Sequence, residues 1–335
     1  MSMKPAELRK HLKNGGVSYM AVTPFKDNGD VDYDGYRRNI RWMVDQIKGF
    51  DQCTITPCGS NGEFPHLSHE EHKKVIQICV EEVNGAVPVI CGTGRSSTHE
   101  TIELSKFAQE IGADGIQVIL PYYFVPMEEG MYEHYKQLAE AVDLGIVIYN
   151  NPAFSKSWIT PPLMKKMLTD FGGQIAGIKE NTPHLMLFNG MAKMLRANQF
   201  DVSLYSGFGE QWFAYQYPWG ADGLATPFGN FFPQYPRDVF LASRQNDNQK
   251  IRQLLDRMEP YYQFVGRCSA ARKDTGVMVK PGGAIYGEGN IRFGIVKAAM
   301  NLMGLHGGIM RLPLTGITEK ETAELKEILK DLNLL

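Results

Sequence analysis

Apolar positions in this chain fall into two kinds of segment. Short runs rich in Ile and Val recur at Val17–Val22, Gln52–Thr56, Pro88–Gly92, Gly115–Leu120, Gly145–Tyr149, Ile175–Lys179, Val202–Ser206 and Asp222–Thr226. Such runs suit strands buried on both faces. Between them lie amphipathic stretches of helical period, at Tyr33–Ile47, Ser68–Val83, Thr98–Ile111, Met127–Val142, Pro162–Phe171 and Phe232–Ser243. Ser68-His69-Glu70-Glu71 and Ser97-Thr98-His99-Glu100 mark helix starts, with a hydroxyl to cap the backbone and acids in the first turn. The repeat of about 30 residues is the length of one βα unit. Eight such units predict an α/β fold of the (β/α)8 TIM-barrel class. An open doubly wound sheet is the alternative, but no GxGxxG follows the first strand.

After residue 245 the β-type runs stop. Asn248–Phe264, Ile291–Met303 and Glu319–Leu332 read as helices. The predicted organisation is therefore a barrel over residues 1–245 that carries the active site, followed by a C-terminal helical bundle over residues 246–335. Arg267–Asn290, rich in Gly and Lys, is predicted as a long loop near the barrel mouth or at an interface.

Composition narrows the class without naming it. The chain has 335 residues, 43% hydrophobic and 21% charged, which suits a protein able to bury a sizeable core. A net charge of −2 points to neither nucleic acid nor an anionic membrane surface. No apolar run approaches the roughly 18 residues that span a bilayer. The segment Met1–Glu7 lacks the apolar core of a signal peptide. Five cysteines lie mostly in core-like runs, and Cys53 and Cys58 are too far apart for a CxxC pair. Reduced thiols in a cytoplasmic protein are expected. The histidines at 69, 72, 99 and 184 are assigned to solvated helix faces.

The candidate chemistry gathers at strand ends, which a barrel brings together at its C-terminal face. Lys179 ends the sixth run and Tyr149 the fifth. A desolvated lysine amine can attack a ketone to form a Schiff base, and a neighbouring phenol can move the protons. The turn Pro57-Cys58-Gly59-Ser60-Asn61-Gly62-Glu63-Phe64 can aim successive amide hydrogens and a hydroxyl at one carboxylate or phosphate. Tyr122 and Tyr123 end the fourth run and could serve a phenol relay. Each feature alone has a plainer reading: a strand-end lysine reaching solvent, an ordinary βα turn, tyrosines that pack an interface.

Taken in order, Thr23-Pro24-Phe25, Gly59-Ser60-Asn61-Gly62-Glu63, Gly92-Thr93-Gly94, Pro121-Tyr122-Tyr123, Tyr149-Asn150-Asn151-Pro152, Gly177-Ile178-Lys179-Glu180, Gly220-Ala221-Asp222-Gly223 and Arg311-Leu312-Pro313-Leu314 resemble the dihydrodipicolinate synthase / N-acetylneuraminate lyase family. The resemblance runs from about Val17 to Leu334. It implies a (β/α)8 barrel with a C-terminal helical bundle, class I aldolase or hydro-lyase chemistry on a small 2-oxo acid, and a homotetramer built as a dimer of dimers. By motif match Lys179 would form the Schiff base and Tyr149 would be the acid/base. Gly59, Ser60 and Asn61 would hold the substrate carboxylate. Tyr123 would reach a neighbouring subunit's site and complete a hydroxyl relay with Ser60 and Tyr149. Neither a metal nor an organic cofactor is called for.

The chain also departs from that pattern. Lysine-biosynthesis members carry an arginine five residues after the site tyrosine to grip the second substrate's carboxylate; Phe154 stands there. A phenyl ring offers no bidentate fork. Asn61 replaces the usual second threonine or serine of the carboxylate turn. The Tyr-Asn-Asn-Pro run is similar to members that dehydrate or deaminate 2-oxo acids derived from sugar acids or hydroxyproline. Phe154, Trp158, Phe208 and Trp212 could line a mouth suited to an apolar or aromatic tail, or simply pack. The leading expectation is a Schiff-base lyase acting on a 2-oxo acid. Condensation of pyruvate with aspartate semialdehyde and a non-catalytic barrel are the alternatives.

Overall fold

The computed structural model describes residues 2–272 and 291–335, with the backbone of two short strands between them. Eight parallel strands run in the order β2-β1-β8-β7-β6-β5-β4-β3. They are β1 (Gly16–Met20), β2 (Cys53–Thr56), β3 (Ile90–Gly92), β4 (Gly115–Ile119), β5 (Gly145–Asn150), β6 (Ile175–Glu180), β7 (Ser203–Ser206) and β8 (Gly223–Thr226). The seam between β2 and β3 is narrow. A bridge pairs Ile55 with Val89, and Gly92 N–H donates to the Pro57 carbonyl at 3.0 Å. The sheet is thus a nearly closed barrel, as the repeat of βα units predicts.

Every residue of the eight strands is buried, because helices cover the outside and side chains fill the inside. Predicted strand and helix limits agree with the structure to within a few residues, except that the helix from Asn248 runs on to Ala271. Tyr261, Phe264 and Cys268 form one buried stripe that runs past the predicted end at Phe264. Of the predicted loop Arg267–Asn290, residues 267–271 therefore belong to this helix. Val277–Lys280 (β9) and Gly283–Tyr286 (β10) pair as an antiparallel hairpin, not a loop, and β9 packs against the short helix Pro152–Ser155 at the barrel mouth. The rest of that prediction lies outside the described residues.

Helices over Pro5–Lys13, Leu185–Ala197 and Glu210–Gln216 were not singled out in the sequence. The first plugs the bottom of the barrel, where Leu8 and Leu12 pack with Ile90, Val147, Ala176 and Tyr205. Gly115 and Gly145 make room for the plug. A Cβ on either would stand 2.3 or 2.9 Å from the Leu8 Cδ2 methyl. With the floor closed, the open end of the barrel is the end where strands β5 and β6 finish.

Two histidines correct the surface assignment. His72 is fully buried, and its Nε2 meets the Gly92 carbonyl at 2.8 Å. It lies on the inner face of the helix His69–Val83, in line with Val75, Ile76 and Cys79. His69 is half-buried against Glu103, while His99 and His184 are exposed; His184 precedes its helix as the N-cap. All five cysteines are buried and free.

Candidate active site

Tyr149 and Lys179 are register partners on neighbouring strands β5 and β6. Register partners in a parallel pair point their side chains the same way, here into the barrel. The Lys179 amine lies 4.1 Å from the centre of the Tyr149 ring and 3.5 Å from Met20 Sδ of β1. Lys179 is 4% exposed and Tyr149 5%, so the plain reading of Lys179 as a solvated strand-end lysine fails. Burial disfavours the ammonium and lowers the Lys179 pKa, the Tyr149 oxygen opposes that, and the Arg292 charge adds to it. For Tyr149, burial pushes the phenol up. The Lys179 cation, hydrogen bonds from Ser60 and Asn151, and the Arg292 charge outweigh it and bring the pKa below its ordinary value. The pair therefore combines a more nucleophilic amine with a more acidic phenol.

Ser60 arrives from the turn after β2. Its Oγ lies 3.4 Å from the Tyr149 hydroxyl. Cys58 and Glu63 both take positive φ of 53°, folding the chain back on itself around a one-turn 3₁₀ helix over Ser60–Gly62. At Gly62 a Cβ would come within 3.0 Å of the Ala21 carbonyl, so the close approach of turn and β1 favours glycine there. Gly59 is buried, whereas Ser60 and Asn61 are partly open to the mouth. Among the described residues the amide hydrogens of Ser60 and Asn61 have no protein acceptor, which leaves two donors for a ligand oxygen.

What holds this turn is a buried ion pair. Glu63 and Lys297 meet at 2.5 Å with side chains 0% and 2% exposed. Lys297 belongs to the helix Ile291–Leu302, also donates to the Ile309 carbonyl at 2.7 Å and sits 4.3 Å over the Phe25 ring. Burial lowers its pKa to about 8 against the pull of Glu63. The Arg311 amide donates to Glu63 Oε2 at 3.2 Å, and the Arg311 guanidinium is bidentate on Glu71 at 2.7 and 2.8 Å. The C-terminal helices thus fix the loop that carries Ser60.

The loop after β5 is fixed from the outer side of the sheet. Asn150 and Glu180, the next register partners up, hydrogen-bond at 2.9 Å, and Asn150 exchanges two bonds with the Ile159 backbone. Burial raises the Glu180 pKa to about 7 despite bonds from Thr182 and Asn150. Asn151 then donates its Nδ2 to the Tyr149 oxygen at 2.7 Å.

A cavity of about 170 Å³ opens beside Ser60, lined by Phe64, Ile119, Tyr122, Phe154, Phe293 and other residues. Phe154 is therefore a wall residue of the mouth. Phe208 follows β7 at the same rim but packs at a tilt against Trp212, with ring centres 5.1 Å apart, and neither lines this cavity; nor does Trp158. Tyr123 is 72% exposed and within this chain forms no bond to Ser60 or Tyr149.

The model of the dihydrodipicolinate synthetase family matches residues 13–265, a span that contains Ser60, Tyr149 and Lys179. The chain belongs to the dihydrodipicolinate synthetase family. It is 31% identical over 320 residues to the 4-hydroxy-tetrahydrodipicolinate synthase of Thermotoga sp. (strain RQ2), covering 96% of this chain and 99% of the relative. The synthase of Methanocaldococcus jannaschii is 32% identical over 321 residues, with the same coverage. Among solved structures, dihydrodipicolinate synthase from Aquifex aeolicus matches with a TM-score of 0.80 and 31% identity, covering 96% of this chain and 98% of that one. The family protein YagE of E. coli K12, solved in complex with pyruvate, matches with a TM-score of 0.81 and 27% identity, covering 96% and 99%.

Membership in the dihydrodipicolinate synthetase family makes the chain a lyase of the class I pyruvate-aldolase type that acts on a small molecule. Among the described residues no helix is long and apolar enough to cross a membrane. Sequence reasoning about this family member missed Asn151, Lys297 and Arg292. Lys297 left a visible trace, as one cation inside the apolar run Phe293–Met300. Asn151 stands in the Tyr149-Asn150-Asn151-Pro152 motif, but its role was not legible there, since it depends on the side chain turning back onto Tyr149.

Proposed function

We propose that the chain forms a Schiff base between Lys179 and the keto carbon of a 2-oxo acid. The Lys179 nitrogen adds to C2, water leaves, and the protonated imine draws electrons from the neighbouring bond. Aldol cleavage then frees an aldehyde and leaves the pyruvate enamine, which takes up a proton, or elimination releases water; a water molecule then hydrolyses the imine and frees the product from Lys179. Tyr149 carries the proton, and Gly59, Ser60 and Asn61 receive the carboxylate. The single observation that carries the reading is the buried Lys179 amine over the Tyr149 ring, with the Tyr149 hydroxyl next to Ser60.

The test is borohydride reduction in the presence of pyruvate, which should add the mass of the reduced adduct to Lys179. No adduct, or an adduct on another lysine, ends this reading, and a Lys179→Ala variant that still turns over a 2-oxo acid does the same.

Condensation of pyruvate with aspartate semialdehyde is the second reading. The name of the Thermotoga and Methanocaldococcus relatives favours it, and Phe154 in the cavity wall counts against it. A catalytically silent barrel is the third, and the intact Lys179, Tyr149 and Ser60 arrangement argues against it. We further read the chain as a cytoplasmic homotetramer, a dimer of dimers, divided into a barrel over 1–245 and a helical extension over 246–335. The exposed run Tyr123, Phe124, Val125 and Met127 supports a subunit contact through which Tyr123 enters the neighbouring site. Phe208 stays a candidate lining residue only if that contact or the substrate draws it from Trp212.

A further inference from the structure

Among the described residues, the C-terminal helices bring Arg292 beside the apolar mouth. Arg292 lies in the first turn of the helix Ile291–Leu302, and its guanidinium sits 5.2 Å from the centre of the Phe293 ring. That ring shares the cavity wall with Phe154 and Ser60. Arg292 is half-buried and close enough to the reacting pair that its charge acts on both Lys179 and Tyr149. Among the described residues, three other cations near this wall make ion pairs or hydrogen bonds of their own. Lys297 pairs with Glu63, Arg311 with Glu71, and Arg95 donates to the Leu67 carbonyl at 3.2 Å.

We propose that Arg292 is a specificity-determining residue that binds a second carboxylate at the far end of the substrate, so that the enzyme prefers dianionic 2-oxo acids. This rests on the Schiff-base reading of Lys179. The first carboxylate faces the Ser60–Asn61 turn, the carbon chain crosses the apolar wall, and the distal carboxylate meets the guanidinium fork. Arginine suits this task because two parallel N–H donors match the two oxygens of a carboxylate. The position is on a different element from Phe154, so a distal-carboxylate grip is supplied by the helical segment and not by the loop after β5. The same placement explains why a cation is tolerated near a lysine that must lose its proton. Arg292 opposes the Lys179 ammonium while it awaits an anionic substrate.

The experiment measures half-saturating concentrations for borohydride trapping on Lys179, read by intact mass. The probes are 2-oxoglutarate and 2-oxoadipate, each compared with the chain-matched monoanion, 2-oxopentanoate or 2-oxohexanoate. Pyruvate is the control for imine formation. Within each protein the ratio of dianion to monoanion is the readout, so a general effect on imine formation cancels. Wild type should prefer the dianion by about 10-fold or more, as expected for one good charge-assisted pair. The preference should vanish in Arg292→Met and return in part in Arg292→Lys. Equal trapping of dianion and monoanion by wild type overturns the proposal, as does a preference that survives in Arg292→Met. If pyruvate itself fails to trap, the Schiff-base reading falls and this inference with it; if pyruvate traps without a dianion preference, only this inference falls.

Discussion

Glu63 and Lys297 form a buried ion pair at 2.5 Å that ties the turn carrying Ser60 to the C-terminal helices. Neither side chain reaches solvent, so each depends on the other for compensation. Lys297→Met strands the Glu63 carboxylate and should cost about 3–5 kcal/mol in urea unfolding. Glu63→Gln combined with Lys297→Met should recover much of that loss, because no lone charge remains. A Lys297→Met variant with the wild-type midpoint would show that the pair contributes nothing.

Tyr149→Phe keeps the ring under the Lys179 amine and deletes the proton carrier. Borohydride trapping of pyruvate on Lys179 should continue. Exchange of the pyruvate methyl hydrogens with deuterated water, followed by NMR, should slow by about 10²–10⁴-fold. Unchanged exchange would assign the proton transfer to another group.

Asn151→Ala removes the 2.7 Å donor to the Tyr149 oxygen. That bond favours the phenolate, so its loss should raise the pKa of the phenol. The pH profile of pyruvate hydrogen exchange should move to higher pH, while the Tm changes little. A profile that stays in place would reduce Asn151 to a cap for the helix Pro152–Ser155.

His72 and His134 set an acid limit on stability. Burial lowers both pKa values to about 4 from the ordinary 6.5. Between those values the unfolded chain binds more protons than the folded one. Their stabilising contribution is complete above pH 6.5 and is lost as pH falls toward 4. Each can contribute a loss of about 3 kcal/mol across that window. Urea unfolding at pH 7, 5.5 and 4.5 should show a steep decline that is shallower in His72→Gln and His134→Gln. Parallel declines in all three proteins would assign the acid sensitivity elsewhere.

Tyr123 and Phe124 are 72% and 79% exposed and pack edge to face, with ring centres 4.9 Å apart. Changing both to serine should shift the sedimentation coefficient toward a smaller species, with at least about a tenfold loss in pyruvate exchange if Tyr123 serves the neighbouring site. A smaller species with full exchange activity would separate assembly from catalysis.

The sequence alone determined the barrel, because strands buried on both faces read as continuous apolar runs and the helices between them keep their own period. It also determined Lys179 and Tyr149 as partners, since both end strands and strand ends share one face of such a barrel. The plug helix Pro5–Lys13 stayed hidden because nine residues give too little periodicity, and His72 was misjudged because a polar residue can occupy the inner stripe of a helix. Only the tertiary structure decided that Glu63 pairs with Lys297, that Asn151 turns back onto Tyr149, and that Arg292 stands by the mouth while Phe208 turns to Trp212. Glu63 with Lys297 and Arg292 at the mouth join segments far apart in the chain, while Asn151 and Phe208 meet near neighbours through the course of the backbone, and no local pattern of apolar and polar residues encodes either.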